Sequence, residues 1–299
     1  MAIWTHVAGQ EAATAPSPLA FVPALIHTVG AYYPEGGIGG LASLLAARAV
    51  VTGVRLRLGT KVRRIDANDG RVTGVTLTTG EWLAADAVVA AGHGVGTYLS
   101  LVDLPPGSFR ERVEALPLQS PGACAYLAVD GPAPPPPYLR FWIPDHSGDT
   151  PGPPGGSREL CRLFIAPPVA DPTLRGRSPW PARLLSPMRH DEVESMSEDG
   201  PREHLERLLG EPWWRPFAPG ARVVATRTPA EWGRAYSLHR DSMNPVMTAA
   251  FMRQGRLAHK SPAVRGLYLA GSATHPGQWV SFAAISGVLA AAEVARDLA

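Results

Sequence analysis

The sequence predicts an α/β chain of mixed α+β character. Three observations carry this. Residues 85–91, Ala-Asp-Ala-Val-Val-Ala-Ala, form a short apolar run suited to a buried parallel strand, and a glycine loop follows at once. Residues 267–270, Leu-Tyr-Leu-Ala, form a second such run that also ends in a glycine loop, with an Ala-rich helix behind it. Before the first of them, residues 54–58 alternate with period two, and turn residues at 68–70 and 79–81 separate further strand segments, as a sheet requires. The chain has 299 residues, enough to bury a substantial core in one large domain or two interleaved ones.

Element by element, 20–29 reads as a helix interrupted early by Pro23. Tyr32-Tyr33-Pro34-Glu35-Gly36-Gly37-Ile38-Gly39-Gly40 is a tight loop, and 41–50 an Ala/Leu-rich helix ending near Gly53. Residues 54–58, Val-Arg-Leu-Arg-Leu, alternate and predict a strand. Strands follow at 61–65, 72–77 and 82–84, with Asn68-Asp69-Gly70 and Thr79-Gly80-Glu81 as turns. After the strand at 85–91, Gly92-His93-Gly94-Val95-Gly96 turns sharply. A helix is expected over 109–116, capped by Ser108. Strands are expected at 124–129, 139–143 and 160–165, with a proline-rich connection at 132–137 and a Gly/Pro loop at 145–157. Residues 167–189 read as irregular, 199–209 as a helix, and 223–226 as a strand before a turn at Thr228-Pro229. Residues 243–255 are mixed, and 282–298 form the last helix.

Composition excludes several classes. The net charge is +2 and no Lys/Arg cluster interleaves with aromatics, so nucleic acid is not expected. Two cysteines, Cys124 and Cys161, are too few for a disulfide framework or a Cys-based metal site and read as small buried hydrophobes. No signal peptide and no bilayer-length run is evident, so a cytoplasmic location with at most peripheral membrane contact is expected.

Three glycine loops carry the chemistry. Gly37-Ile38-Gly39-Gly40-Leu41-Ala42 matches G-x-G-x-x-A in form, but Pro34 spoils a strand before it and 54–58 ends without a ribose-binding acid. It reads as a packing loop at a helix start. The loop at 92–96 follows a strand, where α/β sheets bind ligands, and a simple turn would account for it equally. Gly271 to Gly277 also follows a strand and faces a helix start, a ready anion site with Ser272, Thr274 and Ser281 as hydroxyl donors; capping alone would also explain it. His93, His239 and His275 are the histidines to watch. His239-Arg240-Asp241 is either an acid–base group or a salt-bridge triplet, and no His/carboxylate spacing suggests a metal.

Taken together, Tyr33-Pro34-Glu35-Gly36-Gly37, the stretch 53–91 and the closing 266–291, Gly-Leu-Tyr-Leu-Ala-Gly-Ser-Ala-Thr-His-Pro-Gly onward, resemble the phytoene desaturase, carotenoid isomerase and retinol saturase branch of the flavin-dependent amine oxidase superfamily. The resemblance is close over 30–100 and 262–297 and loose between. It implies a partial FAD-binding Rossmann-like domain of the glutathione-reductase type, at 34–97 plus 262–299. A substrate domain on a mixed or antiparallel sheet, at 1–33 plus 98–261, would be interleaved with it. The strands near Val54, Val88 and Leu267 should then share one sheet. It implies that Gly36 and Gly37 border the active site and that Ala91 and Gly92 contact the adenosine half. Gly271, Ser272, His275, Pro276 and Gly277 would line the diphosphate and ribityl chain, and Val280 would open the helix aimed at the ring. Only 35 residues precede Gly36, without a G-x-G-x-x-G fingerprint or ribose acid. FAD binding by the isolated chain should therefore be weak or absent, and a second chain that supplies the opening segment, or a homodimer that covers the gap, is expected. Gln278-Trp279 stands where relatives carry small residues.

The resemblance implies an oxidoreductase acting on a hydrophobic isoprenoid or polyene, as a fragment or a subunit of a split enzyme. Two other readings stay open: a cofactor-independent isomerase or cyclase in the vacated flavin cavity, and a non-catalytic partner or binding protein. Tyr33, His93, His239, Asp241 and His275 are the catalytic candidates, with His275 the leading proton donor and Trp279 and Phe282 as pocket wall.

Overall fold

Alternation of buried and exposed residues sets the larger of the sheets. The computed structural model describes residues 15–30, 32–132, 138–142, 161–166, 172–174 and 176–299. Two compact units form, each discontinuous in sequence: one gathers 18–58 and 121–229, the other 59–120 and 230–299. Segment 34–58 thus groups with the larger sheet, and segments 98–120 and 230–261 with the strand pair at 88–90 and 267–269.

In the first unit, α1 (Phe21–Val29) and α2 (Ile38–Val51) precede five antiparallel strands. These are β6 (Ala123–Val129), β7 (Leu139–Trp142), β8 (Cys161–Ile165), β9 (Trp180–Ser186) and β10 (Arg222–Arg227), in the order β10-β6-β9-β8-β7. The sheet is antiparallel throughout. Strand β9 was expected to be irregular, yet it sits between β6 and β8. Its Trp180, Ala182, Leu184 and Ser186 are buried in strict alternation. Pro181 hides this pattern; the β8 ladder stops at Ala182, one residue short of it. Two helices follow β9, α4 (His190–Ser195) and α5 (Gly200–Gly210). In α5, Pro201, His204, Leu205 and Leu208 are buried at helical spacing, and the two leucines join Leu127, Leu163, Ile165, Trp180 and Leu184 in the core. Both Cys124 and Cys161 are buried.

The expected strand at 54–58 does not form; these residues carry no regular secondary structure, pass into a turn at Leu58, and are exposed. Alternation alone cannot make a strand without a hydrogen-bonding neighbour, and no described strand pairs with it. The expected sharing of a sheet between 54–58 and the strands near Val88 and Leu267 fails for the same reason. Residues 145–157, 133–137 and most of the stretch 167–175 fall outside the described residues, as does Ile143.

In the second unit, β1 (Val62–Asn68), β2 (Arg71–Leu77) and β3 (Trp82–Ala84) form an antiparallel meander. Asp69 and Gly70 both have positive φ, the hairpin turn that Asn-Asp-Gly favours. Next, β4 (Val88–Ala90) pairs in parallel with β12 (Leu267–Leu269), in register Val88 to Leu267 and Ala90 to Leu269. A smaller antiparallel pair joins β5 (Leu118–Gln119) to β11 (Asn244–Pro245). Ile65, Val72, Val95, Tyr98, Leu267 and Leu269 are buried together, with Tyr98 edge-on to Phe109 at 4.9 Å.

Three local expectations are corrected in this unit and at its edge. The loop at 92–96 is not a sharp turn but the start of a helical segment, Gly94–Gly96 running on into Thr97–Leu101. Ser108 is the first residue of α3 (Ser108–Glu114) rather than its cap; Gly107 holds that position. Pro229 opens a helix, α6 (Pro229–Tyr236), because its fixed φ suits a first helical position. The remaining helices are α7 (Ala249–Gln254) and α8 (Val280–Leu298). No described helix is long and apolar enough to cross a membrane.

Candidate functional site

The carboxyl ends of β4 and β12 lie side by side because the strands are parallel and in register. The Ala270 N–H donates to the Ala90 carbonyl at 3.0 Å, carrying the pairing one residue past the strands. Gly271 then takes φ +105°, and a Cβ there would stand 3.4 Å from the Ala91 carbonyl oxygen, so only glycine fits comfortably. Its N–H donates to Ser286 Oγ at 2.7 Å, and Ser286 Oγ donates to the Ala283 carbonyl at 2.6 Å, which fastens the loop to α8. Thr274 Oγ1 donates back to the Gly271 carbonyl at 2.8 Å. A Cβ on Gly92 would meet nothing within 4 Å, so the backbone there faces open space.

A polar rail runs beside this loop. Ser272 Oγ donates to Asn244 Oδ1 at 2.5 Å, and Asn244 Nδ2 donates to Gln278 Oε1 at 3.1 Å. Asn244 is buried. Trp279 precedes α8 at φ +114°, a conformation costly for a bulky residue, and its ring stacks on Phe282 at 5.7 Å and 14°. Trp279, at the N-cap position of α8, makes no side-chain capping hydrogen bond. The first turn of α8 therefore keeps the positive end of a 19-residue helix beside Val280, which is exposed. Pro276 is half-buried and Gly277 buried, whereas His275 is exposed.

His93 follows the end of β4. Its Nδ1 accepts the Gly96 N–H at 3.0 Å, which makes it the N-cap of the helical segment. An Nδ1 that accepts leaves the ring proton on Nε2, and that atom lies 3.4 Å from Ser242 Oγ. Ser242 Oγ in turn donates to the His239 carbonyl at 2.6 Å. Burial, and secondarily the charge of His239, pulls the His93 pKa down to about 4. His239 Nδ1 lies 3.4 Å from Ser100 Oγ. Asp241 packs where a side chain on Gly233 would have to be, since a Cβ there would overlap its carboxylate. The structure thus brings His93 and His239 together.

Tyr33, Gly36 and Gly37 belong to the other unit. Gly36 and Gly37 turn the chain into α2 with φ +76° and +84°, and the residues before them are not a strand. Sequence reasoning missed Asn244, Ser286 and Arg256, all of which bind the 271–277 loop. No spacing signals them, since each reaches the loop only through the tertiary fold.

A family description, flavin containing amine oxidoreductase, matches residues 19–295. The chain belongs to this family. The chain is 24% identical to a 4,4'-diapolycopene oxygenase of Methylomonas sp, with 97% of this chain and 60% of that protein covered. It is 29% identical to hydroxyneurosporene desaturase of Cereibacter sphaeroides, over 95% of this chain and 58% of the relative. Against prolycopene isomerase 2 of an Oncidium hybrid, identity is 27%, over 91% of this chain and 47% of the relative. The chain therefore spans about half to three-fifths of the length of these relatives. A crystal structure of an oxidoreductase from Methanosarcina mazei superposes with a TM-score of 0.58 at 17% identity, covering 87% of this chain and 55% of that one, which is a likeness of fold.

Family membership implies FAD. The residues around β4 and β12 suit part of that group: an open Gly92, a loop that favours glycine at 271, and a long helix whose N-cap residue does not cap it. The Gly37 loop does not suit the diphosphate in the same way, because no described strand leads into it.

Proposed function

We propose that this family member is an FAD-dependent oxidoreductase of the desaturase, isomerase or saturase type, acting on a hydrophobic isoprenoid or polyene. The observation that carries this is the family match over 19–295, joined to relatives named for diapolycopene, hydroxyneurosporene and prolycopene. Bound FAD would supply the redox chemistry. Ala91, Gly92, Gly271, Ser272, Pro276 and Gly277 would line its adenosine and diphosphate portions. The N–H groups of the first turn of α8, from Val280, would face an acceptor. The stacked Trp279 and Phe282 would wall an apolar pocket, and His275, exposed on the same loop, is the candidate proton donor. His93, His239 and Asp241 would hold the loops in place rather than react.

Because the relatives are longer, the chain is proposed to act with further sequence, on its own polypeptide or on a second one, that completes the diphosphate cradle. Each charge-assisted hydrogen bond contributes about 1.5–3 kcal/mol, so two or three absent donors lower affinity by several powers of ten. The test is FAD titration of the chain alone and with the non-aligned part of hydroxyneurosporene desaturase added, followed by gel filtration and a polyene assay. Expected are a dissociation constant above the micromolar range alone, and flavin retention with turnover in the mixture. Trp279→Ala should then change turnover of the polyene. Polyene isomerisation by the chain without flavin would favour the cofactor-independent reading, and no flavin retention in either sample would defeat the proposal.

A further inference from the structure

Arg256 follows Gly255, the residue that ends α7 with φ +84°. That turn sends the guanidinium against the 271–277 loop. Nη1 donates to the Ser272 carbonyl at 3.3 Å, and Nη2 lies 2.8 Å from Met247 Sδ. The cation stands over the Phe251 ring, 5.9 Å from its centroid. A Cβ built on Gly277 would lie 2.6 Å from Nη2 and 3.3 Å from Nε, so the guanidinium rests directly on that glycine. Gly277, at φ +132°, is thus required both for its backbone and for the space that Arg256 fills.

Arg256 has no carboxylate partner among the described residues. Its neighbours are a carbonyl, a thioether, an aromatic face and a glycine. Exposed arginines of this chain, by contrast, often find acids: Arg189 pairs with Asp191 at 2.8 Å and Arg296 with Glu293 at 2.9 Å. Burial holds the pKa of Arg256 below the ordinary guanidinium value, a sign that its charge is partly stripped of water. A guanidinium has five N–H donors in a fork that matches phosphate, and the hydrogen bonds to described residues engage Nη1 and Nη2 alone. A half-desolvated cation without a counter-ion is costly to keep unless something anionic meets it.

We infer that Arg256 is a phosphate-binding residue at the closing loop, the counter-charge for the diphosphate of a dinucleotide. The identity of the carrier as FAD rests on the flavin reading above; the phosphate chemistry rests on Arg256 itself. The placement follows from the fold: Arg256 spans Ser272 and Gly277 within the loop that joins β12 to α8.

The experiment is equilibrium binding by the chain as it stands, with FAD, riboflavin and inorganic pyrophosphate as separate probes, over micromolar to millimolar concentrations. The variants are Arg256→Gln, Arg256→Lys and Gly277→Ala, with Arg253→Gln on the exposed side of α7 as a control of equal charge change. Expected is a loss of about 10- to 100-fold for FAD and pyrophosphate in Arg256→Gln. A smaller loss is expected in Arg256→Lys, and a comparable one in Gly277→Ala, whose methyl displaces the guanidinium. Riboflavin, which has no phosphate, should not respond to any variant, and Arg253→Gln should bind like the wild type. If Arg256→Gln does not fold, the charge-conserving Lys variant and Gly277→Ala decide. Unchanged FAD and pyrophosphate binding in the Arg256 and Gly277 variants overturns the inference and leaves the flavin reading standing. Arg256-dependent pyrophosphate binding with no FAD binding by the chain alone supports the inference, and the flavin reading is then decided by retention in the completed mixture. No binding of pyrophosphate or FAD by the wild type up to millimolar concentration overturns the inference, and the flavin reading falls only if the completed mixture also fails to retain flavin.

Discussion

His93 shows how one side chain fixes a loop. Its Nδ1 caps the helical segment through the Gly96 N–H, and its other nitrogen reaches the Ser242 hydroxyl. The Nδ1 contact needs a neutral ring, and burial, with the charge of His239, already holds its pKa near 4. In the unfolded chain an ordinary histidine titrates near 6.5. The folded value is depressed, so the stability this residue contributes is complete above about pH 6.5 and is lost as pH falls toward 4, where the unfolded chain binds the proton and the folded one does not. At about 1.4 kcal/mol per unit, the loss by pH 4 is roughly 2–4 kcal/mol. His93→Asn keeps a capping oxygen without a titrating ring. Urea midpoints at pH 7 and pH 4.5 should fall further for the wild type than for this variant; equal falls would mean that another group sets the acid response. At this scale the sequence made His93 visible, as a histidine in a glycine loop. It gave no hint of Ser242, because that partner lies on a distant loop, whereas the capped Gly96 N–H is only three residues on.

At the scale of elements, the parallel pair and its loops depend on close approach. A Cβ on Gly94 would stand 2.7 Å from Ala273 Cβ and 3.1 Å from Leu257 Cδ1. Gly94→Ala should therefore cost about 1–3 kcal/mol by overpacking. Ala273→Gly should recover part of that loss when combined with it, giving a non-additive double-mutant cycle in thermal or urea unfolding. Simple additivity would place the strain elsewhere. The parallel runs at 88–90 and 267–269 were legible because they are short, apolar and followed by glycines. Residues 54–58 alternate more cleanly than either, yet they are not a strand, since pairing is decided by a neighbour that local sequence does not contain. Strand β9 errs the other way: Pro181 disguises an alternating segment that lies between two others in its sheet.

Across the whole molecule, the exposed apolar surface of α2 stands out. None of its residues is buried, and Leu44 and Val51 are 67% and 77% exposed. Val54, Leu56 and Leu58 extend this apolar character past the helix. Such a surface promotes association. Sedimentation of the chain at tens of micromolar should show species larger than a monomer, and Leu44→Glu combined with Val51→Lys should shift it toward monomer without lowering the unfolding midpoint. A wild-type chain that remains monomeric and binds no hydrophobic dye would contradict this.

By itself the sequence determined the α/β character, the glycine loops at 92–96 and 271–277, and the flavin family, because these depend on local periodicity and on short motifs whose backbone demands are strict. Tertiary structure alone decided that Asn244 bridges Ser272 and Gln278, that Ser286 fastens Gly271 to α8, and that Arg256 lies over Gly277 with no acid partner among the described residues. Those contacts join residues on separate elements, so they follow from how the strands and helices pack rather than from any spacing along the chain.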